Sequence, residues 1–393
     1  MAHTLQDSIR ELLPEIVALR HELHTHPEIR FEEVWTSDRI AKFLTENGIE
    51  HERGYAKGTG IVAWIKGGGD RTIALRADMD ALEIQEETGL DYASAIPQRM
   101  HACGHDGHMA NLCGVAKLLH GRREELEGEV KFIFQPAEEL AGGGRHMVEE
   151  GAIDDADAVF GLHCWSTLPV GTVGFKSGEA MASADMFTIN VKGKGSHGAD
   201  PGAGVDPIVA ASYITTAFQS IVSRETNPWD QAVVTVARIN SGLSSNVIPE
   251  TAVMEGTFRA LGEKVRLRLR DGIERIATLT AQAHRAFAEV SFSPDSYPIL
   301  FNDEAMTKFA RDTAESALGS SRIVDLKSPT MGAEDFAFYL QKKPGSFLFV
   351  GNNASADESS PNLHSPYFNF NDDALPTSIE TMATIAMRFL EGA

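Results

Sequence analysis

Four short apolar runs, three of them followed closely by carboxylates or an imidazole, constrain what this chain can fold into. Ile61 to Ile65, Thr72 to Leu75, Val130 to Phe134 and Ala158 to Leu162 are β-rich and too short for helices, and turns or helix-like stretches separate them. Apolar residues at helical spacing mark the surrounding segments. These are Leu5 to Leu23, interrupted by Pro14; Ser37 to Asn47, closed by Gly48; and Met109 to Leu126, with Leu112, Val115, Ala116 and Leu119 on one face. Strands that are apolar throughout need cover on both faces, so the alternation predicts an α/β sheet between helices. In such sheets ligands bind beyond the carboxyl ends of the strands. Asp78 and Asp80 follow the second run, Glu138 and Glu139 the third and His163 the fourth, so three independent segments bring carboxylates and imidazole to one edge.

A second concentration of chemistry lies between them. Residues 99–108 read Arg-Met-His-Ala-Cys-Gly-His-Asp-Gly-His and hold His101, Cys103, His105, Asp106 and His108, all potential metal ligands or proton carriers. Thiolate beside imidazole suits a borderline divalent ion such as Zn²⁺, and Gly104 and Gly107 permit a tight loop. A His-rich surface loop with Cys103 as a small buried hydrophobe is the plainer alternative, and the strand-end carboxylates favour the metal. Upstream, His21, His24 and His26-Pro27-Glu28 read as helix surface followed by a Pro turn.

From about Ser183 the pattern changes. Strands are expected over Met186–Val191, Ala232–Ile239, Thr251–Arg259 and Ala288–Phe292, with helices over Pro207–Ser223 and Glu263–Arg285. The order βαββαβ predicts a ferredoxin-like unit inserted into the first domain. Gly193-Lys194-Gly195-Ser196-His197-Gly198 lacks the strand–turn–helix setting of a phosphate loop, which argues against nucleotide binding. After Pro298 the first pattern returns, with a helix over Glu304–Leu318, a strand over Ser346–Val350 and a final helix over Ser378–Leu390. Between the last two, a Gly/Asn/Ser/Asp loop precedes the lone imidazole of Asn362-Leu363-His364-Ser365-Pro366. The domains are therefore drawn as 1–182 and 298–393 for the split α/β catalytic domain, and 183–297 for the inserted lid and dimerisation domain. A four-stranded sheet with helices on one face leaves edge strands that a second copy can cover, which points to a homodimer through the insert.

Composition narrows the function classes. A net charge of -21 argues against nucleic acid and anionic membranes, which call for concentrated Lys and Arg. Three cysteines in 393 residues make no disulfide framework, and no apolar stretch is long enough to span a bilayer, so a cytoplasmic protein is expected.

Taken together, these motifs make the chain resemble the M20 metallopeptidase superfamily, in its amidohydrolase branch of hippurate hydrolases, N-acyl-amino-acid amidohydrolases and auxin-conjugate hydrolases. The resemblance rests on Ala74-Leu75-Arg76-Ala77-Asp78-Met79-Asp80-Ala81-Leu82, Met100-His101-Ala102-Cys103-Gly104-His105-Asp106 and Phe134-Gln135-Pro136-Ala137-Glu138-Glu139. Gly161-Leu162-His163, Met331-Gly332-Ala333-Glu334-Asp335-Phe336 and Leu363-His364-Ser365-Pro366 complete it, in the family's order. It implies that Cys103, His105, Glu139, His163 and His364 hold two divalent ions, Mn²⁺ or Zn²⁺ with Co²⁺ and Ni²⁺ as alternatives, and that Glu138 is the general base. Asp78 matches the aspartate that orients a metal-bound histidine in the wider superfamily, although Arg76 stands two positions before it, as in the amidohydrolase branch. His197, Asn246 and Arg259 fall in motifs that hold the substrate's carbonyl or carboxylate. One departure concerns the lid. The branch commonly has His-Ala-Ala-Met-Pro-His where this chain has His197-Gly198-Ala199-Asp200-Pro201-Gly202, which removes a bulky Met and a second imidazole and bears on substrate preference.

The expected reaction is hydrolysis of the amide bond of a small N-acyl amino acid by metal-activated water, with Glu138 moving the proton. A small carboxypeptidase or dipeptidase of the same superfamily is the near alternative. A thiol hydrolase using Cys103 or Cys164 leaves Glu138, Glu139 and His364 without a task. A non-catalytic binding protein would be expected to have lost Glu138.

Overall fold

The structure, a computed structural model, describes residues 4–354 and 361–392. It divides into two compact units. One comprises Met1–Gly178, Phe301–Ser328 and Asp335–Ala393; the other comprises Glu179–Leu300 and Pro329–Glu334.

The first unit is built on an eight-stranded mixed sheet. In spatial order its strands are Glu50–Tyr55, Gly60–Lys66, Gly128–Gln135, Arg71–Asp78, Ala158–Pro169, Gly345–Asn353, Val173–Phe175 and Ile323–Asp325. The four strands Gly128–Gln135, Arg71–Asp78, Ala158–Pro169 and Gly345–Asn353 run parallel, so their carboxyl ends share one edge. These four were legible as apolar runs, as was their antiparallel neighbour Gly60–Lys66, and they are almost wholly buried. Helices Leu5–Thr25, His105–His120, Glu304–Leu318 and Leu375–Leu390 pack side by side and share one core with the sheet.

Several boundaries differ from the sequence expectation. The first helix passes through Pro14 without a break, because a Thr4/Asp7 capping box starts it and buried Ile9, Leu12, Ile16, Leu19 and Leu23 hold both sides of the proline. The third helix begins at His105, four residues before Met109, and ends at His120. Gly104 at φ 87° turns the chain into it, and Asp106 in its first turn complements the helix dipole. The fourth run does not end at Leu162. It continues to Pro169 because His163, Cys164 and Trp165 stay paired with Phe349, Val350 and Gly351, which puts His163 inside the strand. Of the expected Gly/Asn/Ser/Asp loop, residues 355–360 lie outside the described residues.

The second unit has its own core. Its antiparallel sheet runs Ala232–Ser241, Thr251–Ala260, Asp185–Lys192, Phe287–Phe292, and the helices Pro207–Glu225 and Glu263–Ala283 pack on it. Chain order is βαββαβ. A small ribbon pairs Ser196–His197 with Val247–Ile248. Ala232–Ser241 is an edge strand, and Trp229, Val233, Ile239 and Leu243 on and beside it are exposed.

Candidate active site

At the sheet's carboxyl edge three imidazoles, one thiol and two glutamates converge. His105 opens its helix directly after Gly104, where a Cβ would lie 2.4 Å from the Cys164 sulfur, so only glycine fits this turn. The Nδ1 of His105 lies 2.8 Å from the Asp80 carbonyl. A carbonyl only accepts, so Nδ1 carries a proton, and the buried Nε2 has no hydrogen-bond partner among the described residues. His163 is held the same way. Its Nδ1 donates to the Cys164 carbonyl at 2.7 Å, which leaves Nε2 facing the Cys103 sulfur at 3.4 Å. His364 Nε2 lies 3.3 Å from that sulfur and 3.0 Å from Glu139 Oε1. The ligand atoms of Cys103, His105 and His163, of Cys103, Glu139 and His364, and of His105, Glu138 and Glu139 each fall within 4.8 Å of one another. All five residues carried over as ligands are thus neighbours, and Glu138 adjoins them.

The two glutamates do not leave an irregular strand end. They start a four-residue helix, Glu138–Ala141, entered through Ala137 at φ 56°. The Asp80 carboxylate caps it, accepting from the backbone N–H of Glu138 at 2.9 Å and of Glu139 at 2.8 Å. Successive residues on a helix point about 100° apart, so the cap sends the two carboxylates different ways. Glu139 meets His364, and Glu138 Oε1 lies 3.4 Å from the Asp335 N–H.

Carboxylates dominate the electrostatics of the cluster. Burial pushes the His105 imidazole down, but Asp78, Asp80 and Glu139 outweigh it and raise it to about 10. Burial, reinforced by Glu139, pushes the Cys103 thiol well above its ordinary value, and Cys164 is raised likewise by burial. Thiols held in that way are poor nucleophiles, which counts against a thiol hydrolase. Sulfur, imidazole and carboxylate donors around an excess of negative charge fit divalent cations of the borderline class.

Behind these side chains lies a buried layer. Asp78 accepts from Arg76 at 2.7 Å and pairs with His108 Nδ1 at 2.7 Å, so it anchors His108, while the ring of His105 is held by Asp80. Arg76 also reaches Gln135 and Asp335, each at 2.9 Å. A second set joins the first helix to the ligand-bearing one: Asp106 Oδ2 lies 2.8 Å from His24 Nδ1 and 3.3 Å from Arg20. His24 is therefore core, contrary to its expected place on a helix surface, because Asp106 and Glu86 supply partners that the local sequence does not reveal. His101 is buried among them, and burial lowers it to about 4, so it is a neutral core imidazole.

His197, Asn246 and Arg259 belong to the second unit. His197 is exposed on the small ribbon opposite Val247, and the Asn246 carbonyl accepts from the Gly198 N–H at 2.7 Å, which places Asn246 just before the facing strand. The His197 Nδ1 accepts from the Ala199 N–H at 3.0 Å, so the neutral ring carries its proton on Nε2. Arg259, on Thr251–Ala260, reaches the Met331 carbonyl at 3.2 Å. Sequence reasoning named Asp80 as a strand-end carboxylate and His108 as a potential ligand, placed His24 on a helix surface and quoted Asp335 only within a motif, but it gave none of them the role seen here, because their hydrogen-bond partners are set only by the fold.

Known proteins share this architecture. Residues 74–388 match the profile of peptidase family M20/M25/M40. The N-acetylcysteine deacetylase of Bacillus subtilis (strain 168) is 42% identical over 377 residues, covering 96% of this chain and 97% of that protein. The IAA-amino acid hydrolase ILR1-like 4 of Arabidopsis thaliana is 40% identical, covering 95% of this chain and 86% of that protein. The crystal structure of the Bacillus subtilis YXEP protein, described as a dinuclear metal binding peptidase from the M20 family, superposes with a TM-score of 0.85 at 38% identity, covering 98% of this chain and 99% of that one. This chain therefore belongs to peptidase family M20/M25/M40, in the amidohydrolase branch, and is a hydrolase of that family.

Proposed function

We propose that the protein hydrolyses the amide bond of small N-acyl amino acids, with Cys103, His105, Glu139, His163 and His364 holding two divalent ions, Mn²⁺ or Zn²⁺, beside the general base Glu138. When bound, such ions supply Lewis acidity, which lowers the pKa of water toward neutrality and polarises a carbonyl. Glu138 takes the proton of the attacking water and returns it to the leaving amine. The observation that carries this reading is the Asp80 cap, which turns one glutamate to the ligand cluster and leaves its neighbour beside it. His197, with its proton on Nε2, donates to the oxygen of the scissile carbonyl, and Asn246 and Arg259 hold the rest of the substrate. The two deacylating relatives, named for N-acetylcysteine and for indoleacetyl-type conjugates, support acylated amino acids over free peptides as substrates.

We further infer a homodimer through the second unit, supported by the exposed edge strand Ala232–Ser241 and the apolar side chains around it. A cytoplasmic setting is supported by three free, buried cysteines. No helix among the described residues is long and apolar enough to cross a membrane.

The test is a panel of N-acetyl, N-benzoyl and indoleacetyl amino acids against dipeptides and C-terminally free peptides, run with and without chelator and with elemental analysis of the purified protein. Acyl amino acids should be cleaved best, and a divalent ion should restore what chelation removes. Full activity in metal-stripped protein would sink the metal mechanism, and a preference for free peptides would move the protein to the carboxypeptidase side of the family.

A further inference from the structure

His108 has no place in the ligand set or in the proton transfers above, yet it is fully buried and both its ring nitrogens are used. Its Nε2 lies 2.9 Å from the backbone N of Cys164 and accepts that proton. Since Nε2 is then the bare nitrogen, Nδ1 must carry the ring proton, and it donates to Asp78 Oδ1 at 2.7 Å. The other oxygen of Asp78 accepts from Arg76, 2.7 Å away. With neither lone pair to spare, His108 is not itself a ligand.

The residue whose backbone His108 grips is the one that orients His163. The N–H of Cys164, in the peptide from His163, goes to His108, and the carbonyl of Cys164, in the following peptide, takes the His163 Nδ1 proton at 2.7 Å. His163 Nε2 then faces the Cys103 sulfur. We propose that Arg76, Asp78 and His108 form a buried relay of positioning residues that fixes the tautomer and direction of His163 through the backbone of Cys164. Every link has one permitted polarity. Arg76 can only donate, ionised Asp78 only accept, the amide N–H only donate and the carbonyl only accept, so the relay delivers a bare Nε2 toward Cys103. Here the hydrogen-bonded route from the layer behind the ligand runs through main chain, beside an edge-on contact of the His108 and His163 rings, whose centroids lie 4.6 Å apart. Loss of an outer partner of this kind typically weakens metal binding about 10–100-fold.

The inference rests on the reading that His163 is a metal ligand, and the experiment separates the two. In metal-stripped wild-type protein labelled with ¹⁵N-histidine, both His163 and His108 should show the proton on Nδ1. Zn²⁺ affinity is then measured by chelator competition for wild type, His163→Ala, His108→Phe and His108→Gln. Gln carries a donor and an acceptor and can restore both bonds, whereas Phe fills the space and restores neither. The expected order is wild type, then His108→Gln close behind, then His108→Phe lower by about 10–100-fold with a mixture of His163 tautomers. Wild-type affinity in His108→Phe together with a loss in His163→Ala would overturn the relay and leave the metal site standing. Unchanged affinity in His163→Ala would instead remove the ligand reading on which it rests. Should His108→Phe fail to fold, a proton on Nε2 of either ring in the wild-type protein overturns the relay by itself.

Discussion

Asp80 is neither a proposed ligand nor the proposed base, yet its two oxygens set where Glu138 and Glu139 point. It caps both backbone N–H groups, and the residues then differ only by the turn of one helical step. This gives opposite expectations for two chemically equal substitutions. Glu138→Gln keeps size and removes the basic lone pair, so turnover should fall by roughly 10² to 10⁴ while bound metal stays at the wild-type level. Glu139→Gln should lose metal first and activity in consequence. Parallel measurement of kcat and of metal content tells them apart, and near-normal turnover in Glu138→Gln would show that the base has been assigned to the wrong residue. The Cys/His loop and the strand-end carboxylates were legible because thiol, imidazole and carboxylate carry their chemistry in the side chain, while the set Cys103, His105, Glu139, His163 and His364 came from the resemblance. The capping role of Asp80 was not legible, since a cap is defined by the backbone it meets.

Among the elements, the join between the first helix and the ligand-bearing helix carries a titratable lock. Burial pushes the His24 imidazole down, but Asp106 and Glu86 overcome this and raise it to about 9. A group whose folded pKa is raised contributes fully at pH below its unfolded value of about 6.5, and that contribution fades as pH climbs through about 9. Stability should therefore decline between pH 6.5 and 9, by an amount on the order of 3 kcal/mol at most. His24→Gln should be less stable than wild type at pH 6 and should show a shallower decline across the same window in chemical denaturation. Parallel slopes for the two proteins would mean that His24 is not the lock. From sequence this residue looked like helix surface because its partner stands 82 residues away. The same blindness explains the overlooked strands. Glu50–Tyr55 is polar and largely exposed, and Val173–Phe175 and Ile323–Asp325 have three residues each, so main-chain pairing defines them with almost no pattern to read. The central parallel strands were legible for the opposite reason, since burial on both faces leaves an unbroken apolar run.

For the whole molecule, the proposed dimer has a functional consequence that can be measured. If His197 of one copy serves the ligand cluster of another, inactive Glu138→Gln and inactive His197→Ala proteins should regain partial activity once their subunits exchange. A monomer by light scattering at working concentration, or silence after demonstrated exchange, would count against the shared site. The parallel sheet carries a further implication. Its four central strands gather the cluster from segments running from Asp78 to His364, and Gly345–Asn353 is the strand that completes the row beside Ala158–Pro169. During synthesis the first of these segments leave the ribosome long before the last, and pairings so distant along the chain form slowly. The nascent protein therefore carries Cys103 and His105 as ordinary side chains for most of its translation. On the proposed ligand set, the site is complete only once His364, close to the end of the sequence, has joined Cys103 and Glu139.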